Sequence, residues 1–76
     1  MTHQEQAWNL IPTHQILPFI TGTHFDYDAE NQKYLCVIKL TDESTVIMPA
    51  DDVEESHSKA IRVIKEMAHK NGWVLG

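Results

Sequence analysis

The densest run of residues able to do chemistry lies between positions 42 and 55. Asp42, Glu43, Asp51, Asp52, Glu54 and Glu55 fall there with no Lys or Arg among them, so the stretch carries −6 and the rest of the chain +1. Carboxylates in this pattern suit three kinds of work. They stabilise polar turns and the positive end of a helix dipole. They present a negative surface to a basic protein, as the phosphate track of a nucleic acid does. They can also ligate a hard cation, but the D-x-[DN]-x-[DN]-G spacing of a calcium loop is missing. Asp26-x-Asp28 is a fragment of that motif, without its Gly or distal Glu.

Further on, Lys59, Arg62, Lys65 and Lys70 stand against Glu66, a balance of +3 over residues 58–70. Cations gather at helix C-termini because the dipole is negative there, and Glu55 and Lys59 have the spacing of a favourable i,i+4 pair. The same four cations are the residues a nucleic-acid-binding regulator would use. Of the five histidines, His57 and His69 are 12 residues apart, about 18 Å of rise and roughly 120° of rotation on one helix. They cannot share an ion, and no H-x₃-H or H-E-x-x-H pair occurs. A small ribonuclease or hydrolase would use His57 or His24 as its base, and would also need a cationic clamp for its transition state.

Cys36 is the single cysteine. It excludes an intrachain disulfide or thiolate cluster, fits a reducing cytoplasm, and in the middle of a strand reads as a small hydrophobe. Ser44, Ser56 and Ser58 lack a nucleophile-elbow pattern. The glycines at 22, 72 and 76 are isolated, so no phosphate loop is present. The expectation is a non-enzymatic protein with no metal and no cofactor.

The elements that position these groups can be read in order. Thr2 and Glu5 fit a capping box ahead of a short helix from His3 to Leu10, which Pro12 ends. His14 to Ile20, interrupted by Pro18, reads as a helical turn or an arm covering the core. Phe25, Tyr27 and Ala29 alternate with Asp26 and Asp28 as a half-buried strand. Tyr34–Leu40 is apolar on both faces until Lys39 and so reads as the central strand. Thr45–Met48 forms a third strand that Pro49 ends. Asp51 or Asp52 caps a long helix stopped by Asn71-Gly72. On its wheel Val53, His57, Ala60, Ile61, Ile64, Met67 and Ala68 share the apolar face. Trp73-Val74-Leu75 offers a short fourth strand.

At 76 residues the chain is one small domain, with a helix or arm over 1–21, a β-meander over 24–49, a helix over 51–71 and the short strand at 73–75. The fold class is α+β: a three- or four-stranded antiparallel sheet, an amphipathic C-terminal helix packed on one face, and a short N-terminal helix or arm. The order α-β-β-β-α resembles that of double-stranded-RNA-binding domains. Those domains carry a Lys-rich cluster at the start of their last helix, where this chain has Asp51, Asp52, Glu54 and Glu55, so their function is not carried over.

Charge narrows the function classes. Eleven carboxylates against six Lys and Arg leave −5, which disfavours phosphate-dominated binding. The polar start argues against a secretory leader, and the longest apolar run, Tyr34–Ile38, is far short of the roughly 20 residues of a membrane span. Small size, acidity and missing catalytic motifs are the general character of inhibitors carried by phages and mobile elements. The expected function is therefore an acidic interaction protein that offers Asp42, Glu43, Asp51, Asp52, Glu54 and Glu55 to a basic protein partner. Trp8, Phe19, Ile20 and Trp73 add an apolar surplus suited to homodimerisation.

Overall fold

A computed structural model of the chain describes residues 7–74. A 3-10 turn at Ala7–Leu10 is followed by the single helical turn α1, Thr13–Ile16, and a second 3-10 turn, Leu17–Phe19. Then come β1 (Ile20–Asp28), β2 (Lys33–Leu40), β3 (Thr45–Ala50) and α2 (Val53–Lys70). The α+β expectation holds, with β2 central in an antiparallel sheet of order β1-β2-β3. The Thr2–Glu5 capping box and the first half of the His3–Leu10 helix lie outside the described residues, and the second half is the 3-10 turn.

The meander is longer than its sequence pattern suggests. β1 begins at Ile20, four residues before the expected start, with an irregularity between Ile20 and Gly22. At the other end β3 runs through Pro49 to Ala50, with Pro49 opposite Leu35. Proline is tolerated there because β3 is an edge strand and the amide it lacks has no ladder partner to serve. Both hairpin turns place a non-glycine residue in the left-handed region, Gln32 at φ 55° and Glu43 at φ 72°.

The core lies between one face of the sheet and α2. Cys36, Ile38 and Leu40 of β2 and Val46 and Ala50 of β3 are buried against Ser56, Ala60, Ile61, Ile64 and Ala68 of α2, with Ile11 and Ile16 closing one side. Ser56, Ala60 and Ala68 are small, which lets the helix sit close to the strands. The Ser56 hydroxyl, fully buried, donates to the Val53 carbonyl at 2.8 Å.

Helix α2 starts and stops as its sequence requires. The Asp52 carboxylate accepts the Glu55 amide at 2.7 Å. At the far end the Gly72 amide donates to His69 O at 3.3 Å and the Trp73 amide to Ala68 O at 2.9 Å, with Gly72 at φ 73°. That is a Schellman stop, for which a left-handed glycine is best suited. Of the expected strand at 73–75, Leu75 lies outside the described residues, and Trp73 and Val74 are not in a strand. They pack against the core, Trp73 stacking on Phe19 with ring centroids 5.1 Å apart.

Candidate interaction surface

One helix is too narrow for this sheet. An α-helix is about 10–12 Å across with side chains, and strands are spaced about 4.8 Å apart, so one helix covers two strands well and a third poorly. Here α2 lies on β2 and β3. On the β3 flank, Trp8 lines a shallow depression with Met48, Arg62 and Val63. Ile20, at the start of β1, packs against the core, but no described residue covers the inner face of β1 at Phe25 and Tyr27 in the same way.

The side chains left open there are large. Phe25 is 46% exposed, Tyr27 49%, Tyr34 39% and Val53 39%. They form one continuous shelf. Tyr27 and Tyr34 face each other across the β1–β2 ladder with ring centroids 4.9 Å apart and planes at 56°. Phe25, two residues back on the same face, meets the His57 ring at 6.1 Å and 51°. Val53 sits one helical turn before His57, and Glu54 and Ser58 complete the hollow beside Phe25.

This arrangement overturns one expectation about α2. His57 and Val53 fall on the geometric centre of its apolar face, yet both are exposed, and Ser56 is buried in their place. Near its N-terminus the central direction of the helix points over β1, where no described residue closes the space above Phe25 and Tyr27. Phe25 and Tyr27 point to the inner face as their alternation predicts, and at 46% and 49% exposure they are only half covered. They face the helix side of the sheet, but beyond the helix edge.

The acidic residues divide into two groups. Asp42 and Glu43 sit in the β2–β3 turn, while Asp51, Asp52, Glu54 and Glu55 follow the other end of β3. The six residues of β3 separate the groups, a distance of about 20 Å. Most of these carboxylates already have local partners. Asp42 accepts the Ser44 amide at 2.9 Å and the Ser44 hydroxyl, which holds its carboxyl below the usual value. Asp51 pairs with Lys33 at 2.6 Å, lowering the acid's pKa and raising the amine's. Asp52 caps α2, and Glu55 meets Lys59 at 3.5 Å. Glu54, on the shelf rim, makes no ion pair among the described residues.

The basic residues of α2 do not converge either. Lys59 and Lys70 are paired with Glu55 and Glu66, the latter at 3.0 Å. Lys65 is half-buried and lies about 120° around the helix from Lys59. Arg62 is exposed beside Trp8. His24 and His57 cannot act on one substrate atom, because His57 meets Phe25 on the inner face while the adjacent His24 projects from the outer one. Among the described residues no group of three or more His, Cys, Asp or Glu converges as a metal site would require. Cys36 is fully buried, and burial pushes its thiol pKa up. Among the described residues no helix is long and apolar enough to cross a membrane.

No family model, curated protein or solved structure matches the chain. The likeness to double-stranded-RNA-binding domains is therefore one of element order alone, and α1 is only four residues long.

Proposed function

We propose that the chain is a non-enzymatic protein-binding domain that takes an apolar segment of a basic partner protein on the Phe25–Tyr27–Tyr34 shelf. The observation that carries this reading is the exposure of those three rings and Val53, each between 39 and 49%, on one continuous surface. Leaving several half-exposed aromatics together is costly in water, and burying them against a partner recovers much of that cost. Tyrosines suit such a surface, since the ring packs while the hydroxyl stays wet.

The acidic character contributes the partner's sign rather than the whole footprint. Asp51, Asp52, Glu54 and Glu55 crowd the first turn of α2, where Val53 and Glu54 border the shelf. Their field steers a basic surface toward the aromatics and disfavours an acidic one. Such a domain could occupy a basic groove on a larger machine, which is the inhibitor form of this reading. Asp42 and Glu43, about a strand length away, play no part in it.

The test is affinity capture from lysate with nuclease present, comparing the native chain with a Phe25→Ser, Tyr27→Ser double variant. Both residues are nearly half exposed, so the fold should survive, and circular dichroism checks that it does. A protein retained by the native chain, lost from the double variant and weakened by Glu54→Lys is the expected result. Capture that ignores the shelf substitutions, or that vanishes with nuclease, overturns the proposal.

A further inference from the structure

The two edges of the sheet are not equally protected. β3 is six residues long and carries Pro49, both of which blunt an edge against strand addition. β1 is nine residues long, contains neither Pro nor Lys, and beyond the irregularity at Ile20/Gly22 pairs regularly with β2 down to Asp28. Its outer edge has no strand partner among the described residues. A long regular edge of this kind is a template for another strand.

We infer that the occupant of this edge is β1 of a second copy of the chain, joined antiparallel about a two-fold axis through Phe25, so that two three-stranded sheets become one of six and two shelves become one trough. The inference rests on reading the shelf as a binding surface, and it says that this surface is complete only in the dimer.

The register follows from charge. A two-fold axis perpendicular to the sheet keeps both α2 helices on the same face and pairs residues whose numbers have a constant even sum. With Phe25 self-opposed, His24 stands opposite Asp26 of the second copy, twice, and Thr23 stands opposite Tyr27. Asp28 meets only Gly22. Moving the axis to Asp26 also gives two His–Asp pairs, His24 with Asp28, but sets the two Asp26 carboxylates directly against each other. Moving it to Tyr27 opposes Asp26 and Asp28 twice. Moving it to His24 opposes the two imidazoles and leaves Asp26 facing Gly22. Like charges directly opposite destabilise a ladder and complementary pairs stabilise it, so the Phe25 axis is preferred. An imidazole N–H can also donate to the facing carboxylate.

In that arrangement the helix side of the joined sheets has a floor of two Phe25 and two Tyr27 rings. Each wall carries the Val53, Glu54 and His57 of one copy. The trough stays open above, so edge pairing enlarges the partner site instead of occupying it.

The experiment is sedimentation velocity of the full chain over a concentration series, on the native protein and variants at the exposed positions 24 and 26. The native chain should sediment at twice its 8.7 kDa mass. His24→Asp should weaken dimerisation by roughly tenfold, because two attractive pairs become repulsive. Adding Asp26→Lys to that variant should restore it, and His24→Lys alone should tighten it. In a second arm, Phe25→Cys should cross-link under a mild oxidant while Thr23→Cys should not, since only position 25 faces itself. A monomer at all concentrations overturns the inference, as does a dimer indifferent to the charge exchange or cross-linked equally from both positions. A monomer that still captures its partner through the shelf overturns the dimer and leaves the proposed function standing. A dimer with this register that captures nothing does the reverse.

Discussion

Lys33, the first residue of β2, and Asp51, the first residue after β3, meet Nζ to Oδ1 at 2.6 Å. The pair ties the β1–β2 turn to the start of α2. Both side chains are largely in water, at 43% and 77% exposure, and exposed pairs contribute little once screened. Lys33→Ala is therefore expected to lower the melting temperature only slightly, with the difference shrinking in high salt. A large, salt-independent loss in thermal unfolding would contradict this.

Three carboxylates, at both ends of β3, give a pH dependence with a definite sign. Asp28 is held low by the Asn31 side chain, Asp42 by Ser44 and Asp51 by Lys33, each from an ordinary value of 3.8. A carboxyl with a lowered folded pKa favours folding fully above its unfolded value, and the contribution is lost as pH falls through the folded value. Thermal stability should thus decline below about pH 4. Asp42→Asn and Asp51→Asn should each flatten that decline, as a pH series of melting curves would show.

Asp52 caps α2, its carboxylate accepting the Glu55 amide at 2.7 Å. Asp52→Ala is expected to cost about 1 kcal/mol, and Asp52→Ser or Asp52→Asn much less. Denaturant titration distinguishes them. Equal losses for all three would mean that charge rather than the hydrogen bond matters.

Ile38 and Ile47 are near neighbours on adjacent strands with opposite fates. Ile38 is fully buried under α2, and Ile47 is 55% exposed on the outer face. Ile38→Ala should cost about 2–5 kcal/mol, a large share of the roughly 4–11 kcal/mol expected of a chain this size. Ile47→Ala should stay within about 0.5 kcal/mol. Comparable losses in denaturant titration would place the core on the other side of the sheet.

Cys36 is predicted to be a packing residue. Its thiol is buried and its pKa raised, so a thiol-specific reagent should label it only when the chain unfolds. Cys36→Ala should be milder than Cys36→Ser, which puts an unpaired hydroxyl into the core at a cost of about 1–3 kcal/mol. Rapid labelling of the native protein would overturn this assignment.

Where an element begins or ends is decided by groups within a few residues, and those points were readable from sequence. Asp52 and Glu55 mark the start of α2 and Asn71-Gly72 its end. Pro18 confines the segment before β1 to a short turn. The apolar run at Tyr34–Ile38 marks the central strand. The strand limits of the meander were less legible, because Pro49 is forbidden in a central strand and allowed at an edge. Only the sheet order decides between the two.

The interaction surface depended on a relation no local pattern contains. Periodicity puts His57 at the middle of the apolar face of α2 and Phe25 and Tyr27 on the inner face of β1, and each of those directions is correct. Whether the side chains are buried depends on how wide a helix is and which strands it lies on. Helix α2 took β2 and β3, so β1 stayed open at Phe25 and Tyr27. The carboxylates show the same division. Sequence alone determined that six of them fall within 14 residues, but the extended strand between them carries two of the six about 20 Å from the rest.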